Sequence, residues 1–470
     1  MMGKIKDFYL KFKTYIDMGI ATALILLANF VFVLWPVATA FLVFAFVTSK
    51  FDKQLCYCVY LAVFSNISPI YVSALLLCFL WIATKYFIDV KKKRKPFLKV
   101  QFFLTLAIVL ISTAIVGRVN VEGFFNWALF TSIMFFIYFA FIYSDEINVK
   151  KVFDYLFVAV AVSAVLGLAL CPIESIKNKV YPFDGTYYRL RLFTLNVNHL
   201  AMFCIFGIAY TCYNLVNNVI SKPKDLGFFK TKEFWFEVCK LALLSVVGIM
   251  TLSKAFLLLL ALVFVYMFVF LIFKLKTKSL ILIVPVMIAV AGLCLVFKDV
   301  FEKLVSRFVV YDVWDNLFSK IFTGRTEIWL DYLSYVFSSP WKAIFGAGSL
   351  TKDLISKGPH NVFIYLLFRL GIAGTIAFIV LICFYVKDSK KKIKPRFNNC
   401  LLFLIYFVLA LEEMIFSDRF FLFLIMGILL MVVPKKNEST ENVDEIQPEK
   451  HNQPQKIDNE ELNLVENDEK

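Results

Sequence analysis

Apolar runs of about 17 to 25 residues recur along the chain, separated by lysine-studded loops, and this pattern leaves few folds open. Each run has the length an α-helix needs to cross roughly 30 Å of hydrocarbon, whereas a transmembrane barrel would show short alternating segments. Of the 470 residues 60% are hydrophobic and 17% aromatic, and the mean hydropathy is +0.76, against roughly half apolar in soluble domains. The expected class is an all-α polytopic membrane protein with about 12 to 14 transmembrane helices.

The formal charge of +15 conceals an asymmetry. Residues 435–470 hold 11 Asp and Glu against 5 Lys, a net of −6, which leaves +21 for the rest. That surplus lies beside the apolar runs, where it marks cytoplasmic loops and a surface for anionic membrane lipids, so no nucleic-acid partner is expected. The tail over 434–470 has too little apolar surface to offset its ordering entropy and is expected to be disordered. The ten cysteines form no metal-type CxxC pair and read as small hydrophobes.

Lys4, Lys6, Lys11 and Lys13 put residues 1–18 in the cytoplasm, with 19–433 as the transmembrane domain. The runs 20–48, interrupted by Trp35-Pro36, and 55–86, interrupted at 65–69, are each either one kinked helix or a hairpin. Residues 91–95 are uniformly basic and cytoplasmic. Helices are then expected over 102–116, 124–143, 152–170, 200–220 and 236–252. A tight turn around Ser253-Lys254 follows, then helices over 256–273 and 280–297, a large external loop over 298–361, and helices over 362–386, 401–411 and 420–433.

This topology gathers Arg189, Arg191, Lys254, Arg307, Arg325 and His360 on the external face, where positive-inside bias should deplete cations. A phosphate-bearing substrate would explain them, because guanidinium groups bind phosphate bidentately. His360 immediately precedes the helix expected from 362, at the positive end of its dipole, where a neutral imidazole is the form able to act as a base. Gly371 and Gly374, three apart in that helix, should let a neighbouring helix approach closely.

His360-Asn361, nine residues and then Gly371-x-x-Gly374 resembles the H[NSQ]-x9-G-x-x-G pattern of the O-antigen ligase and polymerase superfamily. Residues 189–198 (RLRLFTLNVN) resemble its R-x-x-G-x-x-x-N-P-N segment, with Leu192 and Val197 in place of Gly and Pro. Thr251-Leu252-Ser253-Lys254 resembles T-x-S-R with Lys for Arg. Gly324-Arg325 through Trp329, with Pro340 and Gly346-x-Gly348, resembles G-R-x-x-x-W, P and G-x-G. The resemblance spans about 185–385.

The resemblance implies a GT-C-like inverting glycosyltransferase at the external, periplasmic face of the bacterial inner membrane, with no metal or other cofactor. Its donor would be a glycan on undecaprenyl diphosphate and its acceptor a sugar hydroxyl of lipid A-core or of another lipid-linked repeat. Arg189 or Arg191, with Arg325, would hold the diphosphate and stabilise the leaving group, and His360 would orient or deprotonate the acceptor hydroxyl. Motif spacing favours Arg189 over Arg191, and only one of the two is expected to face the site. Lys254, Asn198, Asn361 and Arg307 would contact substrate, with Asn361 fixing the imidazole tautomer. Ligase, polymerase and O-linked protein glycosyltransferase share these motifs. A lipid-linked-glycan flippase would instead spread polar groups along a path through the bilayer, and no G-x-x-x-x-G-K-[ST] pattern supports ATP-driven transport.

Overall fold

The computed structural model describes residues 2–65, 70–94, 135–170, 183–184, 189–194, 196–216, 230–275, 325–347, 358–388 and 391–393, with scattered positions over 103–132 and 423–434. The chain divides into Met1–Val433 and Pro434–Lys470. The segments expected as helices over 102–116, 280–297 and 401–411, Arg307, and the tail from 435 lie wholly or mostly outside the described residues.

The described residues are mostly helical. Helix α1 runs Met2–Ala28 and α2 Leu34–Val47, so Trp35-Pro36 opens a second helix and does not kink a single one. Proline is tolerated there because the first-turn N–H groups have no intrahelical acceptor. Lys13 Nζ donates to the Thr48 carbonyl at 3.2 Å and lies 2.8 Å from its hydroxyl, which returns the end of α2 to the first half of α1. The second interrupted run likewise divides, into α3 (Phe51–Val63) and α4 (Ile70–Lys91). Helix α3 is buried along nearly its whole length, and Tyr57 donates to the buried Asp17 carboxylate of α1 at 2.8 Å.

Helices α5 (Val149–Leu170), α6 (Val197–Asn214), α7 (Lys232–Met250) and α8 (Lys254–Leu275) follow. Gly207 of α6 faces Leu244 of α7 so closely that a Cβ there would lie 2.7 Å from the leucine. At Gly248 a Cβ would lie 2.0 Å from the Phe256 ring, so this glycine lets α7 and α8 close into a hairpin. Phe153 of α5 stacks on Tyr210 of α6, with ring centroids 4.4 Å apart. Outward faces stay apolar, with Phe44, Leu76, Val165, Val246 and Val265 exposed. Among the described residues two helical spans, Val149–Leu170 and Val362–Leu381, are long and apolar enough to cross a membrane, each with a mean hydropathy of 2.2.

Charged side chains collect at one end of this bundle. Lys85 of α4 pairs with Glu146, Lys151 of α5 lies 4.0 Å from Asp52 of α3, and Tyr143 donates to Asp89 of α4 at 2.9 Å. Lys13 and Thr48 meet at a turn of the same group. From there α5 climbs about 33 Å at 1.5 Å per residue over its 22 residues. Gly167, near its far end, meets Leu192, so the segment after residue 189 sits at the opposite end.

Candidate functional site

The expected residues fall in two clusters of short segments, one around Arg189 and one around His360. Strand β1 (Phe183–Asp184) pairs antiparallel with β2 (Arg189–Leu190), Phe183 opposite Leu190. Beyond Leu190 the chain turns through Leu192, which holds a left-handed φ of 53°. A bulky residue there costs about 1–2 kcal/mol, offset because Leu192 and Phe193 are wholly buried, the former against Gly167. Leu192 occupies the position where the resembled pattern carries glycine, so the backbone shape is kept without the residue that adopts it freely.

Asn196 then caps α6, its side chain accepting from Asn198 N at 3.0 Å. Across from it α7 ends, and Thr251-Leu252-Ser253 makes the turn into α8. Thr251 Oγ1 lies 2.6 Å from the Gly248 carbonyl, and Leu252 takes a φ of 51°. Arg189 joins the two segments: Nε donates to the Thr251 carbonyl at 3.0 Å and Nη2 to Asn198 Oδ1 at 3.2 Å. Asn198, expected as a substrate contact, therefore orients Arg189.

The bonding separates the two arginines. Residues two apart in a strand share a face, so alternation along the strand cannot make Arg189 and Arg191 diverge. Arg189 commits two donors to neutral oxygens of the protein, whereas the Nε of Arg191 is buried with no hydrogen-bond partner. Lys254, partly exposed, begins α8 immediately after the turn that Arg189 grips.

The second pair of segments centres on His360. Helix α9 (Arg325–Val336) carries Arg325 as its first residue. Helix α10 (Pro340–Phe345) follows, capped by Ser339, whose hydroxyl accepts from Lys342 N at 3.3 Å. Helix α11 runs Val362–Asp388. Trp329 of α9 donates its indole N–H to the Pro359 carbonyl at 2.7 Å, which clamps the peptide preceding His360. His360 itself has a φ of 48° and is partly exposed. Asn361 is buried, and its Oδ1 accepts from Phe363 N at 2.9 Å and Ile364 N at 3.1 Å. Its side-chain carbonyl is thus the N-cap of α11, a role expected of an Asn before an apolar helix, and its part is to fix where the helix starts.

Gly371 also departs from expectation. It is not a small residue on a continuous helix face but a break in α11, with φ 64° and ψ −173°. Gly346, at the end of α10 with φ 77°, meets it backbone to backbone: a Cβ on Gly346 would lie 2.4 Å from Gly371 N, and one on Gly371 2.3 Å from the Ile344 carbonyl. The Ala347 N–H donates to the Phe368 carbonyl at 2.6 Å in the same crossing. Gly374 is buried one turn further on. Phe368 packs with Tyr332, Val336 and Ala347, while Val362, Leu366 and Leu370 join the main core, so α11 lies between the bundle and α9–α10. Arg369 sits over the Tyr365 ring at 4.9 Å.

Among the described residues, non-glycine positive φ values occur at Lys93, Leu192, Leu252 and His360. Three of the four fall in the segments that form the site, and such conformations concentrate where surrounding structure holds a functional geometry.

Residues 240–379 match the family model described as O-antigen ligase. The match takes in the Thr251 turn, Lys254, α9, α10, His360-Asn361 and Gly371-x-x-Gly374, and begins after Arg189 and Asn198. No curated protein and no solved structure matches the chain.

Proposed function

Residues 240–379 belong to the O-antigen ligase family, and on that premise we propose that the chain is an inner-membrane glycosyltransferase that moves a glycan from undecaprenyl diphosphate to a sugar hydroxyl of lipid A-core. The observation that carries the reading is the fixed placement of His360: its peptide is clamped by Trp329, its backbone is left-handed, and Asn361 caps the helix that follows. That is the support a positioned base requires.

In the reaction the neutral imidazole of His360 takes the proton of the acceptor hydroxyl. The hydroxyl oxygen bonds to the anomeric carbon from the face opposite the leaving group, and the carbon–oxygen bond to the diphosphate breaks with its electron pair on the phosphate oxygen. Arg191, with Arg325 and Lys254, meets the charge that develops there, while Arg189 braces the Thr251 turn. No step uses a metal or a nucleotide. The charged end of the bundle is the cytoplasmic one by the positive-inside rule, which leaves Arg189, Arg191 and Thr251 outside. The apolar outer faces of the helices, such as Val165 and Val246, support immersion in lipid.

Purified protein given undecaprenyl-diphosphate glycan and lipid A-core should form the ligated product and release the carrier in the presence of a chelator and without ATP. Elongated glycan still on the carrier would instead identify a polymerase. Movement of intact donor across a vesicle membrane with no new glycosidic bond would defeat the transferase reading.

A further inference from the structure

Away from the proposed transfer site, two adjoining cavities open between α2 and α4. The first, of about 180 Å³, is walled by Val43, Phe46 and Val47 of α2 and by Leu77, Leu80 and Trp81 of α4. The two polar side chains that also line it are committed elsewhere. Gln54 Nε2 donates to the carbonyls of Phe46 at 2.9 Å and Ser49 at 3.3 Å, and Thr84 Oγ1 to that of Leu80 at 2.8 Å. A water held there lacks the two to four polar partners it needs, whereas a hydrocarbon chain needs none. The second cavity, of about 710 Å³, lies at the charged end of the bundle, where Thr48, Lys50, Asp52, Lys85 and Glu146 line it. Val47 and Trp81 belong to both, so groove and cleft are continuous. From Leu77 to Lys85 the wall formed by α4 passes from apolar to charged over eight residues, about 12 Å at 1.5 Å per residue.

In the cleft Lys85 pairs with Glu146, Lys151 lies 4.0 Å from Asp52, and Lys13 reaches Thr48. Lys50, exposed, belongs to neither ion pair. These four lysines face two carboxylates, a surplus of two positive charges. We propose that the two cavities together bind one anionic glycerophospholipid, with its phosphate at Lys50 and one acyl chain along Val43, Leu77 and Leu80. Trp81 stands at the join, the level between headgroup and hydrocarbon that indoles favour. An anionic headgroup offsets part of the lysine surplus, while a zwitterionic one sets a cation of its own against the same lysines. A free phosphate ion would occupy the cleft alone and leave the apolar groove unfilled.

The proposal rests on the bundle being immersed in lipid and not on glycan transfer, and retention of the chain in membranes through a carbonate wash tests that immersion by itself. The site is tested on the purified full chain in a nonionic detergent. Its unfolding midpoint is read by circular dichroism as phosphatidylglycerol, phosphatidylcholine of the same acyl chains, or inorganic phosphate is added. A ligand bound only by the folded state raises the midpoint as its concentration rises. Phosphatidylglycerol should act at the lowest concentration, with one lipid retained per chain in native mass spectrometry. Phosphatidylcholine should require more, and inorganic phosphate should leave the midpoint unmoved. Lys50→Ala should raise the phosphatidylglycerol concentration needed for half the effect about fivefold; Lys50 is exposed and its side chain makes no capping bond to α3, so the fold is kept. Val43→Trp, at a position 37% exposed, fills the groove and should abolish the response. Should it not fold, Leu80→Trp, at a position 51% exposed, fills the groove from α4. An equal response to phosphatidylcholine, a response to inorganic phosphate, or a wild-type response in either the lysine or the groove variant would overturn the proposal.

Discussion

At one end of the bundle Lys85 meets Glu146 and Lys151 meets Asp52; at the other, Arg189 donates to a carbonyl and an amide, and Arg191 Nε has no partner. Both ends are rich in cations, and at the first these pairs set lysine against carboxylate. Solvent-exposed ion pairs contribute about 0–1 kcal/mol, so the charged end gains little stability from its lysines; in the proposed topology they set orientation. At the opposite end two donors of Arg189 go to neutral oxygens, which fixes its geometry. The difference teaches that counting cations does not tell a lysine paired with carboxylate from an arginine bonded to backbone and amide oxygens, whereas the identity of the acceptor does.

That contrast can be broken most decisively at His360. His360→Ala should lower glycan transfer by about 10²–10⁴-fold, measured as carrier release, with the unfolding midpoint unchanged; transfer at the wild-type rate would remove the base. Arg191→Ala should cost about 10²-fold in transfer with little change in stability. Arg189→Ala should lower both, losing about 1–3 kcal/mol as the two bonds to Thr251 and Asn198 go. If the two arginine variants were equally stable, the division into bracing and binding roles would fail.

Smaller effects sharpen the packing side. Gly371→Ala forces a Cβ against the Ile344 carbonyl at a left-handed residue and should destabilise by at least about 1–3 kcal/mol in chemical denaturation. Leu192→Gly relieves about 1–2 kcal/mol of backbone cost but gives up about 1.5–3 kcal/mol of burial. The net should be a loss of about 1 kcal/mol, and a gain in unfolding midpoint would mean that strain outweighs packing there. Lys85→Ala, at the neutralised end, should change stability by no more than about 1 kcal/mol and leave transfer unaltered.

Much of the helical scaffold was legible in the sequence because a membrane-length apolar run constrains its own ends. Helices expected over 152–170, 236–252, 256–273 and 362–386 are found at Val149–Leu170, Lys232–Met250, Lys254–Leu275 and Val362–Asp388. The Trp35-Pro36 ambiguity was not resolvable locally, since proline suits both a kink and a first turn; Lys13 reaching Thr48, 35 positions away, decides it. The site segments were visible as spaced motifs, but their partnerships were not. Thr251 lies 62 positions from Arg189, and Pro359 30 from Trp329, so no periodicity links them. Asn361 as a helix cap was readable from the apolar run after it. The break at Gly371 was not, because its cause is the backbone of Gly346 across the fold.

The crossing of Gly346 and Gly371 leaves no room for even a methyl group between two backbones, and it divides α11 into a stretch before the break and one after. The first stretch, Val362 to Leu370, is tied to α9 and α10 by the Trp329 bond, the Phe368 contacts and the Ala347 bond. Mechanically, His360 therefore travels with α9 and α10 rather than with the far half of its own helix. Any displacement of those helices would be delivered straight to the imidazole, with the glycine crossing as its fulcrum.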